Sequence, residues 1–262
     1  MFKIRASSLG ELFDCPARWE AKYIKGLTLP MSEEALLGKA VHAAANIYDS
    51  SILKGIPIDP DEGKEAILTT IYMPDEEIAW DKSTAKDIEK RSIQLYELYV
   101  NEIQPLYTYV FVEKTCEPIH FTDLNIGFTG TPDRVFKTEE GYGILDIKTG
   151  KNVVSKTGYI CTSKFAPQIG VYELAVELSF KVKIEVPAVI AGLNAAKTSD
   201  AQRAGKGYIY GAKELVLGEH GEKGLVHYAA HYINQGLFHG NTRSMLCSKK
   251  CCPIFHKCKW RI

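Results

Sequence analysis

The sequence predicts a mixed α/β domain: one set of strands flanked by helices, with a helical N-terminal portion and a small cysteine-rich C-terminal segment. Three observations carry this. Residues 107 to 148 hold four alternating or β-branched runs, YTYVFVEKT, CEPIHFT, IGFTGTPDRVFK and GYGILDIKT, with turn residues between them. Long stretches on either side repeat their apolar residues at helical spacing. A further apolar run, KIEVPAVIAGLNA, follows the helix after those strands, as a buried strand would.

Taken in order, residues 7 to 26 read as a helix capped by Ser7 or Ser8, with Leu9, Leu12, Phe13, Trp19 and Tyr23 near helical spacing. Residues 33 to 54 form a second helix, with Leu36, Leu37, Ala40, Val41, Ala44 and Ile47 inward, stopped by Gly55 and Pro57. Residues 59 to 104 are mainly helical and end before Pro105. The strands follow. Then comes a 13-residue loop, NVVSKTGYICTSK, long enough to suggest a function. Helices at 164 to 180 and 221 to 237 complete the chain. The whole reads as a single domain, 1 to 262, in three parts: helical to 106, a core from 107 to 240, and a cysteine segment from 241 to 262.

At 262 residues the chain is ample for a buried core. No run of about 18 apolar residues exists, so no membrane span is expected. The start, MFKIRASSLGELFDCPARW, lacks an apolar h-region, which predicts a cytoplasmic protein. Lys plus Arg (32) balance Asp plus Glu (32), so no global field attracts a polyanion. Locally the balance breaks. Ile147 to Tyr172 holds no acid and the lysines Lys148, Lys151, Lys156 and Lys164, and the chain from Arg243 to its end is likewise free of acid. This is either segregation onto solvated faces or a pair of basic patches around a polyanion groove.

The chemistry sits in FTGTPDRVFKTEEGYGILDIKTGK. A turn centred between Glu139 and Glu140 places Asp133 opposite Asp146, with Cβ atoms about 5 Å apart. The strand period of two puts Asp146 and Lys148 on one face and Ile147 on the other. Two close carboxylates repel unless a cation lies between them, and an oxygen site of this size suits Mg²⁺ or Mn²⁺. Lys148 would orient or help deprotonate the attacking water, or neutralise charge on a phosphate. Asp-x-Lys alone describes many exposed ion pairs. Here Leu145 and Ile147 place the charges on a core strand, and Gly130, Thr131 and Pro132 fix the backbone before Asp133. Gln168 and Tyr172 share a helix face four residues apart. In GKAVH, Gly38 lies one turn before His42 and lets another chain approach; alone, His42 reads as a hydrogen-bonded helix histidine.

GTPDR, ILDIKTGK and QIGVY, in this order, resemble the motif series of the RecB-like branch of the PD-(D/E)xK nuclease superfamily; GKAVH and SSLGELFDCPARW resemble its earlier helix motifs. The resemblance spans residues 7 to 258 and implies a restriction-endonuclease-like core and a metal-dependent DNA exonuclease. It implies His42, Asp133, Asp146 and the Ile147 carbonyl as metal ligands, Lys148 as the catalytic lysine, and Gln168 and Tyr172 as residues lining the site and contacting the DNA strand. Asp at 146 replaces the commoner Glu. Glu113 in VFVEKT is a further candidate acid. Lys151, Lys156 and Lys164 would follow the phosphate backbone.

Cys247, Cys251, Cys252 and Cys258 fall within twelve residues, a spacing that in a reducing compartment reads first as metal binding. The resemblance implies more: several RecB-like exonucleases hold a [4Fe–4S] cluster on one N-terminal and three C-terminal cysteines. Here these are Cys15, Cys247, Cys252 and Cys258. CSKKCC departs from the usual two-residue gap, which leaves Cys251 as an alternative to Cys252. Zinc is the alternative metal. The expected substrate is DNA, as single strands or duplex ends, in recombination, repair or CRISPR adaptation, including phage recombination. A helicase, integrase or recombinase partner fits the resemblance, as does a ring-shaped oligomer. A DNA-binding subunit of a larger complex and a structure-selective endonuclease or nickase are the alternatives.

Overall fold

A computed structural model describes residues 1–56 and 59–261. The chain opens with β1 (Phe2–Arg5), a single 3-10 turn, and α1 (Leu9–Asp14). The helix expected over 7 to 26 is broken at Cys15, whose φ of −151° and ψ of 92° are extended. Pro16 is the reason: proline bars the preceding residue from helical geometry and starts α2 (Pro16–Trp19) itself. After β2 (Met31–Ser32), α3 (Glu33–Lys54) matches the expected span. Ser32 caps it by accepting from the Ala35 N–H, and Gly55 ends it at φ 65°. Pro57, the other expected stop, lies outside the described residues.

The stretch expected to be mainly helical to 104 divides into α4 (Pro60–Tyr72), β3 (Ile78–Ala79) and α5 (Ala85–Leu98), which carries a reciprocal capping box between Thr84 and Asp87. Strands β4 (Thr108–Val112), β5 (Ile119–Phe121), β6 (Ile126–Thr129), β7 (Arg134–Lys137) and β8 (Tyr142–Gly150) fill the region expected to be strands. Then come α6 (Ala166–Phe180), β9 (Ala188–Asn194), β10 (Arg203–Ile209), α7 (Ala212–Leu217) and α8 (Leu225–Gln235). The last is shorter than the 221 to 237 expected, because Gly221 and Gly224 precede it and Gly236 closes it. Residues 241–261 run in turns.

The main sheet has the order β10-β9-β8-β7-β4; only β8 and β9 run parallel. A second sheet has the order β1-β6-β5. This is a mixed α/β architecture with sheets flanked by helices, as the sequence predicts. Alternation along β8 separates two cores. Ile144 packs with α1 and α6, whereas Leu145 and Ile147 pack with α3 and α5. Every residue of β9 is buried, as a central strand covered on both faces requires. The expected loop is no free lid. Val154 and Ile160 are buried in it, and a Cβ on Gly192, Gly205 or Gly207 would meet loop side chains at 2.5–2.7 Å. Those bare glycines make the bed on which the loop lies.

Candidate active site

The β7–β8 ladder pairs Arg134 with Leu145 and Lys137 with Tyr142 around a turn centred between Glu139 and Glu140. Continued by one residue, that register sets Asp133 opposite Asp146, as the sequence predicts. The Asp133 carboxylate accepts the Ile147 N–H at 2.8 Å. Asp146 is wholly buried, and burial, aided by the Asp133 charge and opposed by Lys148, raises its carboxyl well above the usual range.

Lys148 Nζ lies 2.7 Å from Asp146 Oδ2 and donates to Gln168 Oε1 at 3.1 Å. Gln168 Nε2 donates in turn to Asp146 Oδ1 at 3.2 Å and to the Tyr172 hydroxyl at 2.9 Å. Asp146, Lys148 and Gln168 thus close a ring between β8 and α6. Burial pushes the Lys148 ammonium down, but the Asp146 and Asp133 charges outweigh it and hold Lys148 charged. Lys148 thus presents an ammonium held between Asp146 and Gln168. Burial raises the Tyr172 phenol, leaving it a neutral hydroxyl.

Helix α3 supplies the remaining polar group. His42 Nε2 is 3.0 Å from the Ile147 carbonyl oxygen, and Nδ1 is 3.6 Å from Asp133 Oδ2. The approach depends on Gly38, where a Cβ would stand 2.7 Å from Thr149 Oγ1 on β8. Glu113, just past β4, joins the site from another side. Its φ is 42°, its N–H donates to the Asp133 carbonyl at 2.8 Å, and burial together with Asp133 raises its carboxyl.

Three side chains at the site were not read from the sequence. Arg134, completely buried, donates from Nε to Asp49 Oδ2 at 2.5 Å and from Nη1 to the Asp133 carbonyl at 2.7 Å. Asp49 also accepts from the Tyr99 hydroxyl at 2.6 Å. The usable signals were an arginine directly after Asp133 and an acid seven residues after His42, on the same helix face. The third is Phe165, whose ring centroid is 5.3 Å from Lys148 Nζ and 4.8 Å from Lys164 Nζ.

The other expected lysines are arranged unevenly. Lys151 pairs with Glu34 at 2.8 Å, which also pairs with Arg91, so its charge is partly neutralised; Lys156 is exposed. Cys15, Cys247, Cys252 and Cys258 line one small pocket with Phe255 and Ile254, and Cys251 is not in its wall. The Asn241 N–H lies 3.3 Å from Cys15 Sγ, and Arg18 donates to the Cys251 carbonyl at 2.9 Å, so the two ends of the chain are joined there. Among the described residues no group of three or more His, Cys, Asp or Glu side chains converges tightly enough to hold a metal ion as the structure stands. No helix among them is long and apolar enough to cross a membrane.

The donor set nonetheless suits a divalent cation. Asp146 is a buried carboxylate whose Oδ2 faces the Lys148 ammonium at 2.7 Å, and the Asp133 carboxylate stands across the hairpin from it. His42 Nε2 and the Ile147 oxygen are separated by 3.0 Å, close to the spacing of about 3 Å between neighbouring ligands of an octahedral Mg²⁺.

Comparison with known proteins matches residues 4–258 to the PD-(D/E)XK nuclease superfamily. No curated protein matches. Among solved structures, the crystal structure of SSO0001 aligns at 13% identity over 86% of this chain and 85% of that one, with a TM-score of 0.37.

Proposed function

The chain belongs to the PD-(D/E)XK nuclease superfamily of metal-dependent nucleases, and on that premise we propose that it is a DNA exonuclease of the RecB-like branch, acting on single strands or duplex ends. The carrying observation is the convergence of Asp133, Asp146 and Lys148 at one end of β8, closed by Gln168 from α6.

His42, Asp133, Asp146 and the Ile147 carbonyl would hold Mg²⁺ or Mn²⁺. Such an ion supplies Lewis acidity and a water of lowered pKa. Asp133 and Asp146 provide the negative charge that recruits it. Lys148, held charged between Asp146 and Gln168, faces the charge that builds on the phosphate during hydrolysis. Gln168 fixes the Lys148 ammonium and the Tyr172 hydroxyl, leaving the Tyr172 proton free to reach a phosphate oxygen. Lys156 and Lys164 would hold the strand outside the site.

Cys15, Cys247, Cys252 and Cys258 would hold a [4Fe–4S] cluster, with zinc as the alternative. Four thiols around one enclosed, largely apolar pocket support this reading, as does its position between the chain ends. Its role is a staple across the domain. Recombination, repair or CRISPR adaptation are the processes such an activity serves.

The test is cleavage of end-labelled linear DNA with Mg²⁺ or Mn²⁺. Asp146→Ala and Lys148→Ala should each abolish it while circular dichroism stays unchanged. Undiminished cleavage by both variants overturns the assignment. Intact circular single-stranded DNA distinguishes an exonuclease from an endonuclease.

A further inference from the structure

Beside the metal-ligand set lies a second concavity, of about 660 Å³, lined by Arg5, Ser7, Thr115, Thr129, Thr131 and Tyr172. It shares a wall with the active site. Tyr172 borders it and is linked through Gln168 to Asp146. Thr131 precedes Asp133 by two residues. Gly130 makes that wall possible, since a Cβ there would stand 2.7 Å from Tyr172 Cε1.

The cleft is chemically one-sided. It presents one guanidinium and five side-chain hydroxyls, with Glu117 as the acid in its lining. Among the described residues no carboxylate lies within ion-pair distance of Arg5. The backbone of Arg5 is nevertheless fixed. It pairs with Thr129 in the parallel β1–β6 ladder, and its carbonyl accepts the Ser8 hydroxyl at 2.9 Å. A rigidly mounted, unpaired arginine among hydroxyls is the donor chemistry that binds phosphodiester oxygens. The volume lies within the range of about 300–1000 Å³ typical of small-ligand sites.

We propose that this cleft is a strand-binding subsite: it takes a short stretch of single-stranded DNA adjoining the scissile bond, with Arg5 on a phosphate. The proposal rests on the nuclease reading and extends it to the path of the strand. It makes the single strand, frayed from a duplex end where necessary, the form that reaches Asp133 and Asp146.

Binding in EDTA separates the two readings, because it requires no cleavage. Anisotropy of a labelled oligothymidylate is titrated with the full chain over a range of NaCl concentrations. Arg5→Ala should weaken binding about tenfold and reduce the slope of log K against log salt by about 0.7, the contribution of one single-strand phosphate. Arg5→Lys should retain the slope. Ser7→Trp, which fills the cleft without changing its charge, should weaken binding at an unchanged slope. Arg5 and Ser7 are both exposed, so these chains fold, and circular dichroism verifies it. Binding by either Arg5→Ala or Ser7→Trp at the affinity of the parent overturns the proposal. The Asp146→Ala cleavage result stands or falls independently of it.

Discussion

Arg134 and Asp49 form an ion pair from which solvent is entirely excluded, with Nε 2.5 Å from Oδ2. The pair ties α3 to the start of β7. Because Arg134 also holds the Asp133 carbonyl, it sets the separation between His42 on the helix and Asp133 on the strand.

Removing Asp49 leaves the buried Arg134 guanidinium with Glu113, 3.8 Å from Nη1 and partly solvated, as its one remaining acid. Asp49→Ala should therefore cost about 3–5 kcal/mol in urea unfolding. Asp49→Leu combined with Arg134→Met should cost less, because no charge remains unpaired, yet cleavage should still fall with the loss of the Asp133 anchor. A double variant less stable than Asp49→Ala contradicts this account.

Burial raises the Asp146 carboxyl to about 6 in the metal-free chain, against Lys148 and with Asp133. Between about pH 4 and 6 the folded chain thus holds a proton that the unfolded chain has lost, and this group makes stability fall as pH rises through that window. A divalent cation binds the ionised form and reverses the effect. The gain in Tm on adding Mg²⁺ should be larger near pH 7.5 than near pH 5, and Asp146→Asn should remove the difference. Equal gains at both pH values in the parent chain count against Asp146 as a ligand.

Glu33, at the first turn of α3, is the opposite case. Burial pushes its carboxyl up, but N–H donors from Asp81, Lys82 and Ser83, each at 3.0 Å, and the Ser83 hydroxyl outweigh that and hold it at about 2. Its contribution is fully present above about pH 4.5 and is lost as pH falls towards 2. Glu33→Gln should lose on the order of 2 kcal/mol at pH 7. Denaturant curves of the two chains should converge on acidification; a gap that persists at low pH refutes the assignment.

Cys252, and not Cys251, lines the pocket with Cys15, Cys247 and Cys258. With the proposed iron–sulfur cluster, Cys252→Ser should lose its visible absorbance and Cys251→Ser should keep it. A colourless parent protein containing zinc replaces iron with zinc at the same ligands.

The hairpin at the site was legible because it is local. A tight turn fixes the register of the strands on either side, so the pairing of Asp133 with Asp146 follows from counting outward from Glu139 and Glu140. The limits of α3 were legible for the same reason, since Ser32 and Gly55 act on adjacent backbone. The break at Cys15 was written in Cys15-Pro16, but the apolar spacing across it concealed the proline. Strands β1 and β10 carried little signal. The first is four residues long, and the second contains Gly205 and Gly207, whose missing side chains make sense only once the loop from β8 lies over them.

By itself the sequence determined the pattern of elements, the facing acids of one hairpin and the ordered residues that mark the superfamily. Only the tertiary structure decided that Asp49 meets Arg134, that Arg5 stands beside Thr129 at the mouth of a cleft, and that Cys252 turns inward where Cys251 does not. Periodicity and turn chemistry report neighbours within a turn or a hairpin. Which distant surfaces meet is set by packing two cores against opposite faces of one sheet, and no local pattern encodes that.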